Sequence, residues 1–184
     1  NCSNNYIYGG SGNDTIILRG GSSAYGEEGD DIFIAYSGVC YGGIGNDTIT
    51  RYGGSGVSYG GEGDDVFNIY SSNAKYFGEE GNDTFNIIGS LSGIVIDGGS
   101  GTNNVTGEVG SNTTINVVGA NSGSVSLVSG EEQSVMINGI NYTVSTPSSA
   151  ATVIYRINDS GQISFSVNTG SVIIKGDVNK KHNV

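Results

Sequence analysis

Five aspartates recur along the first half of the chain, Asp14, Asp31, Asp47, Asp65 and Asp83, at spacings of 16 to 18 residues. Each stands five residues after a glycine, in the same setting of glycines and short polar residues. Carboxylates held at one phase of a glycine-rich repeat, with no histidine or cysteine at that phase, form a hard oxygen donor set. Free backbone carbonyls add to it. Such a set suits Ca2+ rather than Zn2+ or Cu2+, and a cage built largely from carbonyls suits the larger, more flexible Ca2+ over Mg2+.

The stretch around each aspartate is itself the repeat. Tyr8-Gly9-Gly10-Ser11-Gly12-Asn13-Asp14-Thr15-Ile16 returns from Tyr25, from Tyr41, from Tyr59 and from Phe77. A sixth copy, from Asp97, carries Asn103 where the aspartate stood. The first glycines fall at 9, 26, 42, 60, 78 and 98, a period of 16 to 20 residues, which marks a stacked architecture. Counting each first glycine as position one, glycine at positions one, two and four lets the backbone reach positive φ and turn its carbonyls toward one centre.

The elements that must hold these turns follow from the alternation on either side. Position eight is Ile16, Phe33, Ile49, Phe67, Phe85 and Val105. Position ten adds Leu18, Ala35, Ile69 and Ile87, with Arg51 the exception. Apolar residues two apart after a turn predict a short strand with one face inward. A second strand precedes each copy, as in Tyr6-Ile7-Tyr8 and Val39-Cys40-Tyr41. One period is therefore turn, strand, turn, strand: one coil of an all-β solenoid. Six coils of parallel strands would make a rod of about 29 Å. The other turns, such as Tyr36-Ser37-Gly38 and Tyr70-Ser71-Ser72-Asn73, lack carboxylates. One edge is thus acidic and the other neutral to basic, with Arg19, Arg51 and Lys75 lying between copies.

Residues 1–105 form the repeat block, and 106–184 are expected to hold worn final coils and a β cap. Thr113–Val118 and Ser124–Val128 read as such coils. Ser134–Val144 reads as a hairpin turning at Asn138-Gly139. Ala151–Ile157 and Gln162–Val167 read as a second hairpin, Ser171–Lys175 as one more strand, and Asn179–Val184 as a loose tail. A solenoid needs its open end covered, because bare strand edges invite aggregation.

The bulk numbers set the class. The chain has 184 residues with 33 glycines, one proline and a net charge of −11. That charge argues against nucleic acid and anionic membrane surfaces as partners. No apolar run is long enough to span a bilayer. Asn1-Cys2-Ser3 has no basic start and no apolar stretch behind it, so the chain reads as a mature protein or an excised segment. Twelve of the 18 acidic residues lie inside the five intact copies, at one phase of the repeat, which a merely solvated surface would not require.

The pattern Gly-Gly-x-Gly-x-Asp-x-(apolar)-x resembles the RTX family, the hemolysin-type calcium-binding nonapeptide repeats. The resemblance implies a right-handed parallel β-roll of about six coils with ions between equivalent turns of successive coils. One turn would give the carbonyls of positions two and four, the next those of positions one and three, and both the position-six aspartate. The first site would then use Gly10, Gly12 and Asp14 with Gly26, Glu28 and Asp31. The second takes Glu27, Gly29 and Asp31 with Gly42, Ile44 and Asp47. The third takes Gly43, Gly45 and Asp47 with Gly60, Glu62 and Asp65, and the fourth Gly61, Gly63 and Asp65 with Gly78, Glu80 and Asp83. A fifth, weaker site would use Glu79, Gly81 and Asp83 with Gly98, Ser100 and the uncharged Asn103. Glu27 and Glu79 replace the second glycine and are expected to strain their turns.

Most RTX rolls carry the motif on both edges. Here Gly53-Gly54-Ser55-Gly56-Val57-Ser58 is a relic with serine at the aspartate position, so a single column of ions is expected. Four ions would bring the net charge from −11 to −3, and folding should be coupled to calcium, in the range of roughly 10⁻⁵ to 10⁻³ M. The implied function is a calcium-stabilised structural module, not an enzyme, in a secreted or surface-displayed bacterial protein.

Other readings stay beside it. The line Tyr8, Tyr25, Tyr41, Tyr59, Phe77 is either a glycan or partner surface of an adhesive module or a stacked ladder that stiffens the roll. The chain could also be an accessory module beside the other domains of a larger secreted enzyme. Irregular residues at position three count against ice binding. Cys2 and Cys40 fall about 10 Å apart, too far to bridge, so Cys40 reads as a buried thiol. His182, the one histidine, lies in the tail, which argues against a Ser/His or Cys/His catalytic unit. The Asn-x-Thr triplets at Asn13, Asn46 and Asn82 read as by-products of the turn.

Overall fold

The computed structural model describes residues 5–117, 121–127, 131–145, 150–158, 160–169 and 173–176. Every regular element among them is a strand. The coils place one strand each in two sheets: β1 (Tyr6–Ser11) with β2 (Thr15–Leu18), β3 (Ser23–Glu28) with β4 (Ile32–Ala35), and β5 (Val39–Ile44) with β6 (Thr48–Arg51). Next come β7 (Val57–Glu62) with β8 (Val66–Ile69), β9 (Lys75–Glu80) with β10 (Thr84–Leu91), and β11 (Val95–Asp97) with β12 (Asn104–Val109). A last pair, β13 (Thr113–Asn116) and β14 (Asn121–Leu127), brings the parallel solenoid to about seven coils, one beyond the six expected from the repeat.

The register is that of the repeat. Tyr8 pairs with Tyr25, Tyr25 with Tyr41, Tyr41 with Tyr59, and Tyr59 with Phe77. Coils of unequal length keep this alignment because the slack goes into the turns opposite the aspartates. Strand order then changes. β15 (Glu132–Ile137) still runs parallel to β13, but β16 (Ile140–Ser145) folds back antiparallel. Asn138 and Gly139 make that turn with φ of 47° and 76°, the positive values a two-residue hairpin demands. β17 (Ala151–Ile157) lies antiparallel on β14 and β18 (Ile163–Thr169) on β17, while β19 (Ile173–Gly176) closes antiparallel on β16. Cys2, Ser171, Val172 and the tail from Asn179, with His182, lie outside the described residues. Among the described residues no helix is long and apolar enough to cross a membrane.

The core is a narrow seam between the sheets. Phe33, Ile49, Phe67, Phe85 and Val105 at position eight are fully buried, as are Ala24, Cys40, Ser58, Tyr76 and Ile96 from the facing sheet. Phe67 stacks on Phe85 at 4.6 Å between ring centroids and takes the edge of Tyr76 at 6.1 Å. Each such ring contributes about 1.5–3 kcal/mol by burial. Cys40 is a free, buried thiol, and burial pushes its pKa up to about 11.

Two findings correct the picture of the edge opposite the aspartates. Arg51, expected on a neutral-to-basic edge between copies, is fully buried with its guanidinium between the sheets. It stands at position ten, the inward phase, and there it finds acceptors. Nε donates to Ser58 Oγ at 3.2 Å, and Nη2 to Ser58 Oγ at 3.0 Å, Val57 O at 3.0 Å and Gly38 O at 3.2 Å. That edge also carries an aromatic ladder of its own. Tyr36, Tyr52 and Tyr70 stack at 5.6 and 4.9 Å, and the Arg19 guanidinium lies over Tyr36 at 5.6 Å.

Candidate metal centre

Each intact copy ends an odd-numbered strand at position three, turns through positions four to six, and starts the next strand at position seven. The turn needs glycine for two reasons. At position four, Gly29, Gly45, Gly63 and Gly81 have φ between 130° and 136°. A Cβ there would also collide with the carbonyl of the position-four glycine one coil below, Gly12, Gly29, Gly45 and Gly63 in turn. At position two, Gly10, Gly43 and Gly61 have φ from 102° to 125°. Glu27 and Glu79 are forced into the same region at 80° and 77°, the strain expected where glutamate replaces glycine.

The donors stack in register. A Cβ on Gly43 would strike Glu27 O, and one on Gly61 would strike Gly43 O, so position-two carbonyls face the coil above. Position-four carbonyls do the same. Position-three carbonyls face the coil below, where Glu28 O accepts from Gly12 N at 2.7 Å, Ile44 O from Gly29 N at 2.8 Å, Glu62 O from Gly45 N at 2.8 Å and Glu80 O from Gly63 N at 2.9 Å. Each of those carbonyls keeps a second lone pair. The position-one carbonyls of Gly26, Gly42, Gly60, Gly78 and Gly98 lie against the position-one glycine of the coil below.

The aspartates join these tiers. Asp31 Oδ1 accepts the Asp14 N–H at 2.7 Å, Asp47 Oδ1 that of Asp31 at 2.7 Å, Asp65 Oδ1 that of Asp47 at 2.7 Å, and Asp83 Oδ1 that of Asp65 at 3.0 Å. The second oxygen, Oδ2, folds under the first glycine of its own copy, where it is buried at Asp31, Asp47, Asp65 and Asp83 without a hydrogen-bond partner. Four buried, unpartnered carboxylate oxygens in a column are costly unless a cation meets them. The donor chemistry fits Ca2+: two carboxylates per interval between coils, surrounded by carbonyls. Among the described residues no group of three or more His, Cys, Asp or Glu converges on one point, so carboxylates alone do not make a site there.

Protonation carries the same signature. Burial, reinforced by neighbouring aspartates, raises Asp65 from the ordinary 3.8 to about 8. Asp47 and Asp83 rise to about 6, again chiefly through burial. In the sixth copy Asn103 keeps half of the arrangement. Its Oδ1 accepts the Asp83 N–H at 2.8 Å, but its Nδ2 donates to Ser100 O at 3.3 Å, placing an N–H where the other copies place a carboxylate oxygen.

A second side-chain ladder, outside the first, is absent from the sequence reading. Asn13 Oδ1 accepts from Asp30 N at 3.0 Å, Asp30 Oδ1 from Asn46 N at 2.7 Å, Asn46 Oδ1 from Asp64 N at 2.8 Å, Asp64 Oδ1 from Asn82 N at 2.7 Å and Asn82 Oδ1 from Thr102 N at 2.9 Å. The signal was present, because position five is Asn or Asp in every intact copy. These bonds give Asn13, Asn46 and Asn82 a place in the turn independent of any modification.

A family model, the RTX calcium-binding nonapeptide repeat (4 copies), matches residues 3–23 and 95–113 of the chain. No curated protein and no solved structure shows significant similarity to the chain. Over those two stretches, less than a quarter of the chain, the sequence is similar to RTX calcium-binding nonapeptide repeats, and the parallel β-solenoid and the carboxylate column agree with that similarity.

Proposed function

We propose that the acidic edge holds a single column of Ca2+ ions, one in each interval between successive turns, and that folding of the module is coupled to their binding. Four ions occupy the intervals spanned by Asp14, Asp31, Asp47, Asp65 and Asp83, with the carbonyls of Gly10, Gly12, Glu27, Gly29, Gly43, Gly45, Gly61 and Gly63 from below. Gly26, Glu28, Gly42, Ile44, Gly60, Glu62, Gly78 and Glu80 supply carbonyls from above. A fifth, weaker ion rests on Asp83, Glu79 and Gly81 with Gly98, Ser100 and Asn103. The observation that carries this reading is the row of buried, unpartnered Oδ2 atoms on Asp31, Asp47, Asp65 and Asp83. Without ions those carboxylates oppose folding, so ion binding and folding are one equilibrium.

The module's work in this reading is structural: a rod assembled outside the cell, where calcium is plentiful, in a secreted or surface-displayed bacterial protein. RTX repeats typically occur in secreted proteins, which supports the location. The hairpins after β14 serve as a cap over the solenoid's end. No catalytic step is assigned to any residue.

The test is a calcium titration followed by far-UV circular dichroism, reversed with EDTA and repeated with magnesium. A cooperative gain of β signal with calcium alone is expected. A melting temperature unchanged between calcium and EDTA would overturn the proposal.

A further inference from the structure

Arg51 is the anomaly of the core. Among the described residues it is the largest fully buried side chain, and no carboxylate is among its hydrogen-bond partners. A guanidinium keeps its charge at any ordinary pH, and a buried one normally pairs with an acid. Here carbonyl, hydroxyl and thiol dipoles around Nε and Nη2 stand in for the acid, while Nη1 is buried without a hydrogen-bond partner.

Those acceptors lie in the relic turn and in the coil below it, on the edge opposite the aspartates. The relic turn runs from Gly53 at position one to Gly56 at position four and Ser58 at position six. Cys40, Ser58 and Tyr76 align across successive coils, so Cys40 and Tyr76 also stand at position six. A Cβ on Gly56 would strike Gly38 O, just as one on Gly29 would strike Gly12 O. Gly38 and Gly56 therefore approach each other as closely as successive position-four glycines do on the aspartate side, although Gly56 lacks their positive φ. Arg51 Nη2 bonds the position-four carbonyl of the lower turn, Gly38 O, and the position-five carbonyl of the upper turn, Val57 O. It also reaches the position-six atoms of both turns, Ser58 Oγ at 3.0 Å and Cys40 Sγ at 3.8 Å.

We propose that this cage is a second cation site, on the edge opposite the aspartates, filled by the chain's own guanidinium. The fixed charge of Arg51 holds two coils together there as an ion does across the roll, which leaves the level of the relic turn independent of calcium. Emptied of its side chain, the site should accept a free guanidinium ion; given carboxylates at position six, it should accept a divalent one. The likeness to an ion site rests on the reading of the acidic edge proposed above, whereas the guanidinium cage itself does not.

Two measurements on the full chain test this, the first at saturating calcium and the second a calcium titration. In Arg51→Ala, guanidinium chloride far below denaturing concentration is expected to raise the melting temperature, while equal urea or sodium chloride does not. In wild type the same guanidinium should give no rise. In the triple variant R51A/C40D/S58D, calorimetric titration should count one more calcium ion than in wild type. An R51A protein that guanidinium fails to raise, or a folded triple variant with the wild-type ion count, overturns the proposal. If the triple variant does not fold, the guanidinium measurement decides alone. A wild-type chain that binds no calcium overturns the proposed function instead and leaves the guanidinium measurement standing.

Discussion

Asp47 serves two coils at once: its Oδ1 accepts the Asp31 N–H at 2.7 Å, while its Oδ2, equally buried, has no partner. Asp31, Asp65 and Asp83 repeat the arrangement, and Asn103 keeps only the accepting half. One oxygen zips the coils together whatever the ion content. The other is buried and left without a partner.

This division sets the pH response. Folding raises the pKa of Asp65 to about 8 and those of Asp47 and Asp83 to about 6, from 3.8. The metal-free fold therefore holds more protons than the unfolded chain between about pH 4 and about pH 8, and its stability falls as pH rises through that window. Calcium replaces those protons, so its affinity should rise over the same window with proton release. Melting temperatures in EDTA should be higher near pH 5 than near pH 8 and the order should reverse in calcium. A metal-free melting temperature that climbs with pH would refute the linkage.

Asp65→Asn separates the two oxygens. The amide keeps an acceptor for the Asp47 N–H, as Asn103 does for Asp83. It removes charge from both intervals that Asp65 borders. Metal-free stability should rise at neutral pH, while calcium affinity at two sites falls by on the order of tenfold or more. Calorimetric titration reads both sites. An affinity equal to wild type would mean that Asp65 meets no ion.

Much of this was legible in the sequence because the repeat fixes phase. Alternation at positions eight and ten identified the core, and the spacing of Asp14 to Asp83 identified the column. Charge alone would put Arg51 on the surface, but phase decides: in the five intact copies position ten points inward whatever residue fills it. The ladder of Tyr36, Tyr52 and Tyr70 escaped notice for the opposite reason. All three stand at position eleven, but the turns that follow differ in length and hide the alignment. After β14 no repeat fixes phase. The hairpins could be read locally, yet the choice of β14 for β17 and β16 for β19 depends on contacts distant in sequence.

Glu27 and Glu79 are natural defects whose repair can be measured. Both hold a glycine conformation, φ of 80° and 77°, at a cost of about 1–2 kcal/mol. Glycine returns part of that gain through its own backbone entropy, about 0.5–1 kcal/mol. Glu27→Gly and Glu79→Gly should each stabilise the calcium-bound module by about 0.5–1 kcal/mol in chemical denaturation. Destabilisation by either would show that the glutamate side chain has a role in the turn beyond its carbonyl.

Tyr41 tests what the outer ladder is for. Its ring lies between Tyr25 at 4.7 Å and Tyr59 at 4.9 Å, with interplanar angles of 4° and 1°. Both faces are covered by neighbours, so the ladder offers ring edges and hydroxyls to the outside, whereas sugars stack on open faces. Each stacked pair is worth about 0.5–1.5 kcal/mol, so Tyr41→Ala, which breaks two, should destabilise the roll by about 1–3 kcal/mol. Glycan-array binding should be absent in both wild type and variant. A glycan bound by wild type and lost in Tyr41→Ala, with stability unchanged, would make the ladder a recognition surface instead of a stiffener.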